Sequence, residues 1–130
     1  MFPKMRIFTF FACLVLVSAQ RKIDDIIDTE DFINRFEGML VGVKTWLSDR
    51  VLSAGANDEI YNQPGGNFYR DEKFTLIKVY NDVFALRTWK GAYVSFGANG
   101  DVYPAGGIGG DEELTLVRVY GQDVFAIRNR

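Results

Sequence analysis

The chain has 130 residues, of which 48% are hydrophobic and 25% are charged. This is an ordinary globular balance, and the length suits one domain with a modest core. Eleven Phe, six Tyr and two Trp argue against a disordered or low-complexity chain. The sequence has no His and one Cys, which removes most nucleophile–base pairs and most transition-metal sites.

The first nineteen residues have the layout of a secretory signal peptide. Lys4 and Arg6 supply a basic start, and Ile7–Val17 is apolar apart from Thr9. Small residues follow, so we predict cleavage after Ala19 and an extracellular mature protein. The apolar stretch is shorter than the roughly 20 residues that a membrane-spanning helix needs, and we expect no membrane span.

Cleavage changes both the charge and the redox chemistry of the chain. It removes Lys4, Arg6 and Cys13, so the mature protein has no cysteine, and its net charge becomes −4 instead of −2. An acidic chain of this kind has no broad attraction to nucleic acid. Without disulfides, the secreted domain must be held together by its core alone.

An internal repeat with a spacing of 40 to 43 residues organises the rest of the chain. Residues 71–80 recur as residues 111–120 with six of ten positions identical, and Val43–Trp46 matches Leu86–Trp89. A period near 40 is typical of stacked or radially arranged repeats. The units that this period defines are a first repeat at about 40–80, a second repeat at about 83–120 and a partial third repeat at 123–130.

Each repeat has the pattern of four short strands. Apolar and β-branched runs alternate with glycine turns, and Asn99-Gly100 favours a tight hairpin. The strands that we predict in the second repeat are Val83–Thr88, Ala92–Phe96, Asp101–Pro104 and Leu114–Tyr120. Regular short strands of this kind predict an all-β barrel or sandwich.

The second repeat contains three characteristic stretches, Phe84–Ser95, Asn99–Val102 and Glu113–Leu116. Together they resemble a fascin-type β-trefoil repeat. The resemblance covers about residues 41–130 and implies an all-β, β-trefoil-like barrel of short antiparallel strands.

A trefoil closes from three repeats, whereas this chain supplies two and part of a third. The resemblance therefore implies an open barrel edge with unpaired backbone groups. Three alternatives follow for this edge. The chain is a truncated product, it pairs with another copy as a homo-oligomer, or its N-terminal segment closes the gap.

The segment at residues 20–39, before the repeats, is helical in pattern. Its apolar positions include Ile23, Ile26, Ile27, Ile33 and Phe36, which suits an amphipathic helix. A break near Thr29 would let that residue cap the second part, and Gly38 suits a helix end. We expect the helix to lie over the barrel edge or its open mouth, and the alternative is a helix that binds a partner or another copy.

The chain offers little for catalysis or for metal binding. Glu72 and Glu112 recur at the same position before a strand, which indicates a turn residue more than an acid–base catalyst. The acidic residues near the N-terminus lack the spacing and turn glycine of an EF-hand, and a solvated helix face explains them better. These acidic residues are Asp24, Asp25, Asp28, Glu30 and Asp31. We therefore predict a non-enzymatic protein with no catalytic residues, no metal and no cofactor.

Trp46 and Trp89 occupy equivalent repeat positions and are the candidate ligand contacts. Exposed aromatic rings stack on sugars, and neighbouring Asn62, Asn99 or Lys90 can bind hydroxyl groups. The alternative is that both indoles pack under the hairpins, since Trp is largely buried on average.

These features favour a binding protein that recognises an extracellular ligand, with carbohydrate ahead of protein. Actin-filament binding or crosslinking is the alternative that the fascin resemblance implies. A structural or self-associating secreted protein is a further alternative. A growth-factor-like ligand for a receptor would need a basic face, and the acidic net charge argues against one.

Overall fold

The computed structural model describes residues 9–16, 21–23, 28–45, 50–65, 67–97, 101–118 and 125–129. These residues contain one α-helix, one short 3₁₀ turn and eleven strands. The strands are β1 (Thr9–Leu16), β2 (Arg21–Ile23), β3 (Leu40–Thr45), β4 (Arg50–Gly55), β5 (Glu59–Pro64), β6 (Phe74–Tyr80), β7 (Val83–Arg87), β8 (Tyr93–Phe96), β9 (Val102–Ala105), β10 (Leu114–Arg118) and β11 (Phe125–Asn129). The helix is α1 (Thr29–Phe36), and the 3₁₀ turn is Arg70–Glu72. Within these ranges, no helix has the length and apolar character that crossing a membrane requires.

The strands form one curled antiparallel half-barrel. From β3, the pairing runs through β6, β7 and β10 to β11. The hairpin β4–β5 extends from β3, and the hairpin β8–β9 extends from β7. The two hairpins therefore occupy corresponding places in the first and second repeats.

Strand β1 lies between the two ends of this curl. It pairs with β11 through Thr9–Ala12 and with β3 through Ala12–Leu16. Strand β2 pairs with the second half of β1. The edge that the sequence leaves open is thus occupied by residues from the predicted signal peptide, and not by the helical segment that follows it.

The core is one cluster of buried residues contributed by the helix and by strands of the sheet. Leu114 and Leu116 are both buried, as the alternation in β10 predicts, and so are Val94 and Phe96 in β8. Ser95 is also fully buried, although simple alternation would place it on the opposite face of the sheet from its neighbours. Its burial has a polar cause, because its hydroxyl donates a hydrogen bond to the buried carboxylate of Glu112.

Helix α1 packs against β6, β7 and β10 through an aromatic face. Phe32, Ile33 and Phe36 are buried, and the Phe32 ring meets the Phe84 ring edge-on with centroids 5.3 Å apart. Gly38 follows the helix at a φ of 80°, where its amide donates to a carbonyl of β6. The prediction that Gly38 ends a helix is therefore confirmed.

The start of the helix differs from the sequence prediction. Asp28 is the cap, since its Oδ1 accepts from the Asp31 amide at 2.8 Å. Thr29 is the first helical residue, and its hydroxyl accepts from Leu116 N at 2.7 Å and donates to Leu116 O at 3.2 Å. The prediction that Thr29 caps the helix is wrong, because β10 takes up its hydroxyl and leaves the capping position to Asp28.

The helix is also shorter than the predicted segment. Ile23 ends β2, where it pairs with Leu14, and does not begin a helix. Ile26 and Ile27 lie outside the described residues. A helical pattern at Arg21–Ile23 gives way to strand because β1 offers these residues backbone partners.

Candidate functional site

An open cleft of about 530 Å³ lies beside the 3₁₀ turn of the first repeat. Tyr61 and Gln63 reach it from β5, where residues two apart point to the same face of a strand. The other wall is the turn itself with the residue before it. The described residues that line the cleft are Tyr61, Gln63, Tyr69, Arg70, Asp71 and Glu72.

The buried side chain of Glu72 holds the 3₁₀ turn in place. Its Oε2 accepts from Ser53 Oγ at 2.6 Å, and its Oε1 accepts from Tyr69 N at 3.1 Å. Burying a carboxylate is costly unless it is hydrogen-bonded, and here both oxygens have a donor. The prediction that Glu72 serves a turn is confirmed, and the turn is held where Tyr69 and Arg70 project into the cleft.

The guanidinium of Arg70 stacks on the indole ring of Trp89. Its Cζ lies 3.7 Å from the centroid of the Trp89 ring, and its Nε donates to Asp71 Oδ1 at 3.2 Å. A guanidinium over an indole gains cation–π attraction and keeps its edge open for hydrogen bonds. Trp89 is partly buried, packs against the core and donates from Nε1 to Ala54 O at 2.8 Å. The core thus supports Trp89, and Trp89 supports Arg70.

Phe68 anchors the chain just before the cleft. A Cβ at Gly42 would overlap the Phe68 ring, so the ring lies directly on the backbone of β3. By the repeat alignment, the second repeat has Ala85 in place of Gly42 and Ile108 in place of Phe68. Ile108 is 38% exposed, whereas Phe68 is half-buried. The loop before β6 is therefore anchored to β3 by an aromatic side chain, whereas the corresponding side chain of the second repeat is exposed to solvent.

The structure places three of the five sequence-predicted site residues. Trp89 lies beneath Arg70, next to the cleft and not on its surface. Lys90 follows it, and its Nζ donates to Ala56 O at 2.9 Å and to Asp58 Oδ1 at 3.0 Å. Lys90 thus ties its own turn to the turn between β4 and β5.

Asn62 does not join this group. Asn62 lies between Tyr61 and Gln63 on β5, so strand alternation turns it to the face opposite the cleft. Its Oδ1 is buried and has no hydrogen-bond partner among the residues that the structure describes. Trp46 and Asn99 lie outside the described residues.

Sequence analysis missed Tyr69 and Arg70 as site residues. Comparing the sequences of the two repeats, position by position, could have identified them. Tyr69 and Arg70 correspond to Gly109 and Gly110, whereas the buried Glu72 corresponds to a second Glu. Residues that both repeats keep are those that the shared strands and turns require. Bulky polar residues that one repeat adds on its surface are the candidates for binding.

The acidic segment near the N-terminus has structural partners where it is described. Asp28 caps α1, and Asp31 pairs with Arg35 one turn later at 3.0 Å. Over the described part of the chain, no three acidic, Cys or His side chains are grouped so that they could hold a metal ion. Asp24 and Asp25 lie outside the described residues.

Comparison with known proteins assigns no family to the chain. No protein-family model and no curated protein matches it. The chemistry of the cleft therefore rests on its own side chains, which are two phenol rings, an amide, two carboxylates and a supported guanidinium.

Proposed function

We propose that this chain is a secreted, non-catalytic, fascin-like β-trefoil module that binds a neutral carbohydrate in the cleft of the first repeat. One observation carries the proposal. Two tyrosine rings, one exposed and one half-buried, line the same cleft as several planar polar groups, and a buried carboxylate and an indole position Tyr69 and Arg70 there.

The order of strand pairing supports the trefoil assignment. In each of the first two repeats, an outer pair of strands joins the curl, and a hairpin lies between them in sequence. In the full chain, with β11 and β1 as the last pair, the pairing passes through six strands and returns to β3, and cleavage after Ala19 would leave five of the six. Six such strands with hairpins at one end are the scheme that the resemblance implies.

The aromatic residues supply the apolar part of sugar recognition. Tyr69 is 67% exposed, and Tyr61 is half-buried on the facing strand. The C–H face of a pyranose packs on such rings while its hydroxyl groups stay at the edge. Tyr61 and Tyr69 thus bring two aromatic rings to one cleft.

The polar residues supply the hydroxyl contacts. Gln63 offers both a donor and an acceptor, and Asp71 offers acceptors. Asp71 Oδ1 already accepts from Arg70, which fixes the plane of the carboxylate before a ligand arrives. Groups fixed in advance lose less conformational entropy on binding than flexible ones.

The charge of the cleft favours a neutral sugar. Among the lining residues that the structure describes, Arg70 is the one basic residue, and it stands beside two carboxylates, Asp71 and Glu72. An acidic sugar would bring a further negative charge to this group, and like charges at close range are unfavourable. Hydroxyl groups carry no such penalty.

The test is glycan-array binding with matched variants of the two repeats. Tyr69→Ala removes one ring, and Asp71→Asn keeps the shape of the side chain but removes its charge. We expect each to weaken binding of a neutral glycan by about tenfold or more, which corresponds to about 1.4 kcal/mol. The control is Tyr103→Ala, which removes a tyrosine ring that is 42% exposed from the second repeat, where the counterpart of Tyr69 is a glycine.

Circular dichroism of each variant would establish that the fold is intact. An equal loss of binding in Tyr103→Ala would move the site away from the first repeat. Binding of acidic glycans only, or of no glycan, would contradict the proposal.

A further inference from the structure

The position of β1 between β3 and β11 indicates a second binding site, separate from the cleft. Along one side of β1, Thr9–Ala12 pairs with β11 from Arg128 back to Phe125. Along the other side, Ala12–Leu16 pairs with β3 from Thr45 back to Val41. Both ladders are antiparallel, and they overlap at Ala12.

The two flanking strands lose most of their partners on these sides when β1 is absent. Five residues of β3 pair with β1, whereas β6 and β4 pair with the other side of β3 at its two ends. Four residues of β11 pair with β1, and β10 covers its other side. Unpaired N–H and C=O groups in such a gap form a template for another strand.

We propose that the gap between β3 and β11 is a strand-binding site whose ligand is the segment Thr9–Leu16. In the full chain this segment fills the site in cis. In a chain cleaved after Ala19, as the sequence predicts, the site is open and binds the same segment in trans. Recognition runs through main-chain hydrogen bonds on both sides, which is the mode of β-strand addition.

The segment itself suits this mode. Thr9–Leu16 contains no charged residue, no Pro and no Gly, so no residue in it opposes an extended, fully paired strand. Strand β2 is a poor substitute because it has three residues, against eight in β1. A second copy of the chain that offered its own β3 or β11 edge would cover one side of the gap and leave the other unpaired.

The test uses the full chain, produced without export so that its N-terminus is retained. A recognition site for a specific protease is placed between Leu16 and Arg21, and the folded protein is cut there. Native mass spectrometry then measures whether the N-terminal fragment stays bound. We expect it to remain in a one-to-one complex and to leave only when urea unfolds the protein.

Exchange with synthetic peptides tests the mode of recognition. An isotope-labelled peptide of residues 9–16, with terminal lysines for solubility, should replace the bound fragment slowly and to completion when in excess. The matched control carries Pro at the position of Ala12, which removes the amide where the two ladders overlap. We expect this peptide to exchange at least tenfold less.

Three results would overturn the proposal. The first is immediate loss of the fragment after cutting, with the melting temperature of the remainder unchanged. The second is equal exchange of the Pro peptide, which would exclude main-chain recognition. A stable dimer of the stripped chain that takes up no peptide would also reject Thr9–Leu16 as the ligand. None of these outcomes depends on sugar binding, so the two proposals fail separately.

Discussion

The loop before β6 and the loop before β10 are built on the same contacts and present different surfaces. In the first repeat, Glu72 accepts from Ser53 at 2.6 Å and from the Tyr69 amide at 3.1 Å. In the second, the corresponding Glu112 accepts from Ser95 at 2.5 Å and from the amide three residues earlier at 2.8 Å. The buried hydrogen bonds are shared, so the fold requires them, whereas the exposed residues above them are free to differ.

A second pair of contacts leads to the same conclusion. Trp89 Nε1 donates to Ala54 O, and Asn129 Nδ2 donates to Phe96 O, each at 2.8 Å. In both cases a side chain from the next repeat satisfies a carbonyl at the end of a hairpin strand. Only the first contact lies beneath a guanidinium, because the second repeat has Gly110 where the first has its arginine. The contact between Trp89 and Ala54 therefore supports a cleft residue in the first repeat, and the contact between Asn129 and Phe96 supports none in the second.

The largest expected effect comes from removing the shared carboxylates. Glu72→Ala and Glu112→Ala each leave a buried hydroxyl and an amide without an acceptor, so we expect each to lower the free energy of unfolding by about 3 kcal/mol. Urea unfolding measures both. The control is Glu59→Ala at an exposed strand end, with an expected change within about 0.5 kcal/mol. Clearly unequal losses would show that the two loops are not equivalent.

A smaller loss of stability is expected at Gly42, where the first repeat has a contact that the second repeat lacks. Gly42→Ala forces the Phe68 ring off the backbone of β3, and overpacking of this kind costs about 2 kcal/mol. Adding Phe68→Ile recreates the Ala85 and Ile108 pair of the second repeat, so we expect the double variant to recover much of the loss. The double-mutant cycle should give a coupling of about 1 kcal/mol.

Additive losses in that cycle would mean that Phe68 does not lie on Gly42. Ala85→Gly is the matched control in the second repeat. It opens no room that Ile108 could fill, so it should show only the backbone cost of a glycine in a strand, about 1 kcal/mol.

The smallest effect concerns the role of Trp89. Trp89→Phe keeps a ring beneath Arg70 but loses the hydrogen bond to Ala54, so we expect the free energy of unfolding to fall by about 1 kcal/mol. Glycan affinity should stay within about threefold, because a phenyl ring still supports the guanidinium. Arg70→Ala is the contrasting variant, with weakened binding and little change in stability. Loss of binding in Trp89→Phe with unchanged stability would instead place the indole in contact with the ligand.

The strands within the repeats could be predicted from the sequence because their signals are local. Four apolar runs separated by glycine turns predict strands that match β7 to β10 to within about two residues at most ends. The loop after β9, predicted from its glycines, also lies between strands. Burial of Ser95 could not be predicted, because its cause is a carboxylate seventeen residues later.

The strand β1 and the cleft were beyond prediction for a different reason. Thr9–Leu16 is apolar throughout, so it carries no alternation to distinguish a strand from an export signal. Tyr69 and Arg70 lie in a loop without periodicity, and the ring beneath Arg70 comes from the following repeat. Each depends on a neighbour that is distant in sequence.

The first and last described strands are neighbours in the sheet, and this determines when their contacts can form during synthesis. Thr9 pairs with Arg128, and the Thr29 hydroxyl bonds to a residue 87 positions later. A ribosome delivers the chain from its N-terminus, so neither contact can form until synthesis is almost complete. Sheets held by such distant contacts fold slowly. The pairing of β1 with β11 therefore waits for the end of synthesis, whereas β2 and β3 are available to β1 as soon as the first third of the chain has been made.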